Sequence, residues 1–202
     1  MFVLRIYHHK LNILLSQYET ITFLVRMASS TDKLIRVLET YSRKIHRMTR
    51  NIVNTGNPYA LKELRYGLFL NPIPHEVGLI FQVPSGWRDN SVTHIPLIVE
   101  DDIGVHSKVI LWDPLSKSDT HYHPSVHCFF TPVHNNGLSQ SVLREDRFNE
   151  RVVWDTGALN TGKFMYIHDT IGAHRLMNTS HTRAIASYHL YISEQSLKSD
   201  RA

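Results

Sequence analysis

The sequence predicts a mainly β domain, an antiparallel sandwich or small barrel, with a helical segment on its N-terminal side. After Ser107, short runs rich in β-branched and aromatic residues alternate with turn residues, which is typical of such folds. Apolar residues at helical spacing stand out only near the N-terminus. At 202 residues the chain suits one domain with a sizeable core.

The predicted helix covers residues 31–41. Leu34, Val37, Leu38 and Tyr41 recur at helical spacing behind a Ser/Thr cap. We interpret residues 1–29 as an N-terminal extension, because the apolar runs before Met27 are interrupted and resemble no secretory signal.

The domain itself is predicted to span residues 30–202, with an insertion at 58–107. Turn signals are dense there and leave room only for short strands. The predicted strands that follow are Lys108–Trp112, Thr120–Pro132, Arg151–Asp155, Phe164–His168 and Ala184–Ile192.

Composition excludes several classes of protein. The net charge is +4, and the basic run from Arg43 to Arg50 lacks the interleaved aromatic residues of a nucleic-acid surface. No apolar run is long enough to cross a bilayer. Cys128 is the only cysteine, which excludes an intrachain disulfide and fits a reducing compartment. We therefore expect a cytoplasmic monomer with neither nucleic-acid nor membrane partners.

Three histidines are candidate metal ligands. His121 and His123 lie two apart in a predicted strand, so both side chains face one way. His174 follows a glycine-containing turn that can bring its imidazole back across a barrel. Because the chain has 14 histidines, the pair of histidines two apart is weak evidence on its own.

A second polar row lies in the last predicted strand. Ser187, His189 and Tyr191 share one face. Three inward polar tips need partners, which favours a hydrogen-bonded relay reaching into a pocket over ordinary core packing.

These residues belong to motifs that resemble the cysteine dioxygenase family. The resemblance covers roughly half of the chain and rests on the segments Met48–Val53, Trp112, His121–Phe129, Tyr166–Arg175, Asn178–Thr182 and Ser187–Tyr191.

The resemblance implies a cupin jelly-roll barrel holding Fe(2+) on His121, His123 and His174. An incoming thiolate would supply the negative charge that three neutral ligands lack. Arg50 matches the family's arginine for the substrate carboxylate; otherwise it is a surface member of the basic run. The implied reaction oxidises L-cysteine with dioxygen to cysteine sulfinic acid, in cysteine catabolism and taurine synthesis.

The resemblance also assigns roles around dioxygen. Tyr191 would lie beside it, oriented by His189 and Ser187, and Cys128 would crosslink to the tyrosine through a thioether. Without that chemistry, Cys128 is a small buried hydrophobe.

The sequence departs from the family at segment edges. Leu115 stands where the cupin pattern prefers glycine, and the chain stops at Ala202 without the expected closing strands, so we expect a barrel truncated at the C-terminus. The alternatives are therefore an inactive or non-catalytic metal-binding cupin, or a dioxygenase of another small thiol.

Overall fold

The computed structural model describes residues 32–74, 77, 91–133, 137–145 and 151–198. Two helices come first, α1 over residues 32–54 and α2 over Ala60–Leu70. Eight strands follow: β1 Val92–Glu100, β2 Val105–Trp112, β3 Val126–Pro132, β4 Leu138–Glu145, β5 Arg151–Ala158, β6 Met165–Ile167, β7 Ala173–Asn178 and β8 Ile185–Ser193. A single helical turn, Glu194–Leu197, comes after β8.

The strands form two antiparallel sheets. The larger has the order β1-β2-β8-β3-β6 and the smaller the order β5-β4-β7. In the larger sheet β8 is central, pairing with β2 on one side and β3 on the other. The predicted mainly β fold with an N-terminal helical segment is confirmed.

The helices cover the outer face of the larger sheet. Leu34, Leu38 and Ile45 of α1 are fully buried in one apolar cluster with Val109 of β2 and Leu190 of β8. Because side chains alternate along a strand, the neighbours of Val109 and Leu190 point to the inner face. No helix in the described ranges is long and apolar enough to cross a membrane.

The inner faces of the two sheets enclose a second apolar cluster. Ile110 and Trp112 of β2 pack there with Phe130 of β3, and Val142 and Leu176 come from the smaller sheet. The polar row predicted on β8 lies on this inner face, so the chemistry-bearing residues lie between the sheets.

Several sequence-based predictions of elements are corrected by the structure. The stretch 58–107, expected to hold only short strands, contains the nine-residue β1, which pairs with β2 from Val92 to Glu100. Strands β4 and β7 were not predicted. The helix predicted over 31–41 is confirmed but continues to residue 54. The domain boundaries stay a prediction, and residues 1–29 lie outside the described ranges.

The strand predicted over Thr120–Pro132 is wrong in its first half. It begins only at Val126, because Pro124 has no amide hydrogen to donate and Ser125 adopts a left-handed φ of 55°. The Val126 amide donates to the His123 carbonyl at 3.1 Å, which closes a turn. His121 and His123 thus precede the strand rather than lying in it.

Candidate metal centre and its cavity

The three predicted histidines converge between the sheets. His121 and His123 come from the segment before β3, and His174 is the second residue of β7 on the opposite sheet. Backbone hydrogen bonds of 3.0 and 2.9 Å join His121 and His174 in both directions. One donor atom of each imidazole lies within 4.8 Å of the other two.

A glycine makes this approach possible. Gly172, just before β7, has a φ of +134°, and a Cβ there would lie 2.3 Å from the Leu143 carbonyl oxygen. Only glycine fits both the backbone conformation and the space. The predicted glycine-containing turn before His174 is therefore confirmed.

The ring geometry suits convergence on one ion. The three ring centroids are 4.7 to 5.0 Å apart, with interplanar angles of 57 to 60°. The Nε2 atoms of His123 and His174 are 2.9 Å apart.

All three imidazoles can present a nitrogen lone pair to one ion. Burial, with the nearby His121, lowers the pKa of His123 to about 4, and burial lowers that of His174 to about 3. The Nδ1–H of His121 donates to the Asp119 carbonyl at 2.9 Å, which leaves Nε2 free. The side-chain amide nitrogen of Gln140 lies 3.1 Å from His174 Nδ1. Rotating this amide by 180° would place its oxygen there instead, where it could accept a hydrogen bond from an Nδ1–H. The residues fit a divalent transition metal.

The polar row of β8 forms a directed hydrogen-bond chain beside the histidines. The Trp112 indole N–H donates to Ser187 Oγ at 2.7 Å, and Ser187 Oγ is 2.8 Å from His189 Nε2. Because an indole only donates, the serine hydroxyl is free to donate onward to Nε2.

The chain ends at a phenol that keeps its proton. With Nε2 accepting, His189 carries its hydrogen on Nδ1, 3.3 Å from the Tyr191 hydroxyl oxygen. Burial holds the pKa of His189 well below its ordinary value and raises that of Tyr191. The phenolic O–H of Tyr191 is thus left to donate in another direction.

Cys128 lies directly across from Tyr191. The two residues are register partners of β3 and β8. Cys128 is fully buried, and burial raises the pKa of its thiol to about 12. The structure therefore brings together seven of the eight predicted site residues, all except Arg50.

A small cavity joins these groups, and its lining includes a residue that the sequence analysis did not single out. The cavity of about 60 Å³ is lined by the three histidines, His189, Tyr191 and Lys108, among others. A neighbouring cavity of about 400 Å³ shares Lys108 and Tyr191. The sequence could have indicated Lys108, because side chains alternate along a strand and this places Lys108 on the same face as Ile110 and Trp112.

Arg50 is placed differently from the other predicted site residues. Near the end of α1, its guanidinium is 3.2 Å from Glu100 and 3.1 Å from Asp102, and it does not line either cavity. Its role at the substrate carboxylate stays a prediction.

A second group of metal-type ligands, His127, His168 and Glu194, has a different geometry. The two rings are stacked, 4.5 Å apart and 15° from parallel, so both lone pairs cannot point at one ion. His168 Nε2 is 2.9 Å from a Glu194 carboxylate oxygen, and His127 Nδ1 is 2.7 Å from the Tyr166 hydroxyl. This group is a hydrogen-bonded stack that fastens the turn after β8 to β3.

Comparison with known proteins identifies one family. Residues 97–197 match the family described as cysteine dioxygenase type I. Cysteine dioxygenase type 1 of Homo sapiens is 33% identical over 85 residues, which cover 41% of this chain and 42% of the human protein. The Danio rerio protein is 31% identical over 107 residues, 46% of this chain and 48% of its own length. The matches thus span about half the length of these relatives.

The solved structures matched by this chain are less similar in sequence. Oxalate oxidase in complex with glycolate is 16% identical, with a TM-score of 0.42 over 54% of each chain. A cupin domain from Bordetella pertussis is 17% identical, with a TM-score of 0.39 over 54% of this chain and 99% of that chain.

Proposed function

Since the chain belongs to the cysteine dioxygenase family, we propose that it is an iron-dependent thiol dioxygenase that oxidises L-cysteine to cysteine sulfinic acid. The observation that carries the proposal is the convergence of three imidazoles and the Tyr191 phenol on one cavity. The absence of a second cysteine supports a reducing compartment such as the cytoplasm.

The metal proposed is ferrous iron, held by His121, His123 and His174. A ferrous ion bound there would supply the redox chemistry that joins dioxygen to a thiol. Because all three ligands are neutral, they leave the charge of a divalent ion uncompensated. The site would therefore stabilise the thiolate over the thiol of the substrate.

The proposed reaction is balanced by its two substrates. The sulfur gains both oxygen atoms of dioxygen and is oxidised by four electrons, which dioxygen accepts, so no further reductant is required. Tyr191 would donate its O–H beside the reacting atoms, and Ser187 and His189 would hold that O–H in one direction. Fixed donors of this kind need little rearrangement during the reaction.

Two other functions stay open for this site. One is dioxygenation of another small thiol, favoured by the position of Arg50 outside the cavity. The other is a non-catalytic cupin that binds metal without turnover. Both would bind metal at the same three histidines, so metal content does not distinguish them. Dioxygen consumption with a thiol does.

The test is dioxygen consumption by the iron-loaded protein with L-cysteine, together with mass spectrometry of the product. We expect one dioxygen consumed for each cysteine sulfinic acid formed. If the protein binds iron but consumes no dioxygen with any small thiol, only the function of a non-catalytic metal-binding cupin is left.

A pair of histidine variants provides the control. His174→Ala is expected to lose bound iron and turnover, because it removes a ligand that is 1% exposed. His181→Ala changes an exposed histidine outside the cavity and is expected to retain both. Equal iron content in the two variants would contradict the ligand assignment.

A further inference from the structure

Among the described residues, no negatively charged side chain pairs with Lys108. It lies on β2 opposite His189 of β8. Its Nζ lies 4.6 Å from the centroid of the Tyr191 ring. This contact offers a partly buried cation some compensation but no counter-ion.

The cation is held inside the structure at some cost. Burial lowers the pKa of Lys108 below its ordinary value, as expected when an ammonium loses water without gaining an anion. The positive charge also disfavours protonation of His123 and His189. A charge placed in this way is suited to an anionic ligand.

Lys108 stands where such a ligand would extend from the histidines. It lines both the small histidine cavity and the larger neighbouring one. The ring of Tyr191, which contacts Lys108, is stacked with the ring of His123, and their centroids are 5.9 Å apart. A short ligand with its thiol at the histidines would thus have its other end near the ammonium.

Arg50 is less suited to this task. Its guanidinium already forms ion pairs with Glu100 and Asp102, so a substrate carboxylate would have to compete with two anions. The described residues that line the two cavities include no Asp or Glu. The α-ammonium group of cysteine would therefore find no anionic partner there.

We infer that Lys108, rather than Arg50, binds the substrate carboxylate in this chain, so that the site recognises small mercapto carboxylates as a class. The inference rests on the proposed function, since the thiol must be held at the histidines. An ammonium presents a point charge, whereas a guanidinium presents a planar fork. Recognition is thus expected to depend on the carboxylate and to be indifferent to the α-amino group.

The test is calorimetric binding to the iron-loaded protein without dioxygen, which separates binding from turnover. The ligands are cysteine, 3-mercaptopropionate, cysteamine and ethanethiol. We expect 3-mercaptopropionate to bind at least as tightly as cysteine. Cysteamine and ethanethiol, which lack the carboxylate, are expected to bind roughly ten- to a hundredfold more weakly, as for the loss of one charge-assisted hydrogen bond.

Variants assign the effect to a residue. Lys108→Met is expected to weaken the two carboxylate ligands by the same roughly ten- to hundredfold and to leave ethanethiol binding unchanged. Lys108→Arg is expected to retain most of the affinity. Lys62→Met, which removes an exposed lysine of α2, is the matched control for the loss of one charge. Unchanged ethanethiol binding also shows that Lys108→Met folds with an intact site.

The outcomes separate this inference from the proposed function. If Arg50→Gln weakens the carboxylate ligands and Lys108→Met does not, the inference is overturned while the proposed function stands. If 3-mercaptopropionate binds the unmodified protein no better than ethanethiol, the inference is overturned without any variant. If no thiol binds the iron-loaded protein, the proposed function itself fails.

Discussion

Tyr191 is the residue at which the separate parts of the site meet. Its hydroxyl accepts from His189, its partner across the strands is Cys128, and its ring supports Lys108. A phenol with a raised pKa is a proton donor rather than a base at neutral pH. The site therefore offers a proton and an ammonium to an anionic ligand.

The position of Cys128 against Tyr191 leads to a prediction of a covalent bond. In the iron-loaded protein exposed to dioxygen and cysteine, we expect a thioether between the Cys128 sulfur and the Tyr191 ring. Dioxygen accepts the two electrons and two protons lost when the S–H and a ring C–H are replaced by C–S. Mass spectrometry is expected to find the two peptides joined and lighter by two hydrogen atoms.

Two controls make the crosslink specific to the site chemistry. It is expected to be absent from Tyr191→Phe and from protein kept free of iron. A joined pair that forms equally well without iron would contradict the prediction. Active protein without the crosslink would remove this claim alone.

Sequence predicted the residues of the site better than their surroundings. His121, His123 and His174 come together as the resemblance implied, because motif residues are few and retain their spacing. Lys108 was not predicted, because a lysine in a strand usually points to solvent. Here its side chain lies on the inner face of the larger sheet, which the smaller sheet covers. The ion pairs of Arg50 depend on Glu100 and Asp102, which are distant in sequence.

At the scale of elements, strand boundaries were predicted wrongly where neighbouring residues favour different local structures. Pro124 could have predicted a break before β3, but the apolar residues after it suggested one continuous strand. Strand β4, Leu138–Glu145, has serine, glutamine, arginine or glutamate at five of its eight positions and so has little of the usual composition of a strand. Its pairing with β5 and β7 supplies what its own propensity does not.

The turn after β2 contains a strained residue and yields a prediction of stability. Leu115 has a φ of 60°, a left-handed conformation that costs a residue with a Cβ roughly 1 kcal/mol or more. It is also 38% exposed, so its side chain contributes little burial. We expect Leu115→Gly to raise the free energy of unfolding by about 0.5–1 kcal/mol, measured by urea denaturation.

Leu115→Ala separates the conformational effect from the loss of the side chain. Alanine removes the same contacts but retains the Cβ, so this variant is expected to be no more stable than the original protein. If the glycine and alanine variants were equally stable, strain at position 115 would not be the cause. The glycine preference noted in the sequence then would need another explanation.

At the scale of the whole molecule, the chain is built in three layers. Helices α1 and α2 cover the larger sheet, and the smaller sheet closes the inner face. Together with the family match, the two facing antiparallel sheets confirm the predicted cupin fold. His123 and His174 are buried between these layers, so their protonation is tied to folding.

This coupling predicts how the stability of the metal-free protein depends on pH. In the folded protein the pKa of His123 is about 4 and that of His174 about 3, whereas an unfolded histidine has a pKa of about 6.5. Below about pH 6.5 the unfolded chain therefore binds more protons than the folded one. The free energy of unfolding is expected to fall as pH decreases toward 4, by up to about 1.4 kcal/mol per pH unit for each excess proton.

Denaturant unfolding at a series of pH values, after the metal is removed by a chelator, measures this slope. Between about pH 6.5 and 5 the change belongs mainly to histidines, since carboxylates have ordinary pKa values near 4. His189→Gln replaces a buried histidine, whose pKa is also lowered by burial, with a side chain that cannot titrate. Its slope is expected to be shallower by up to one proton. Equal stability at pH 7 and pH 5 would show that these imidazoles are not held neutral by the fold, since a histidine whose pKa is the same in both states cannot couple folding to pH.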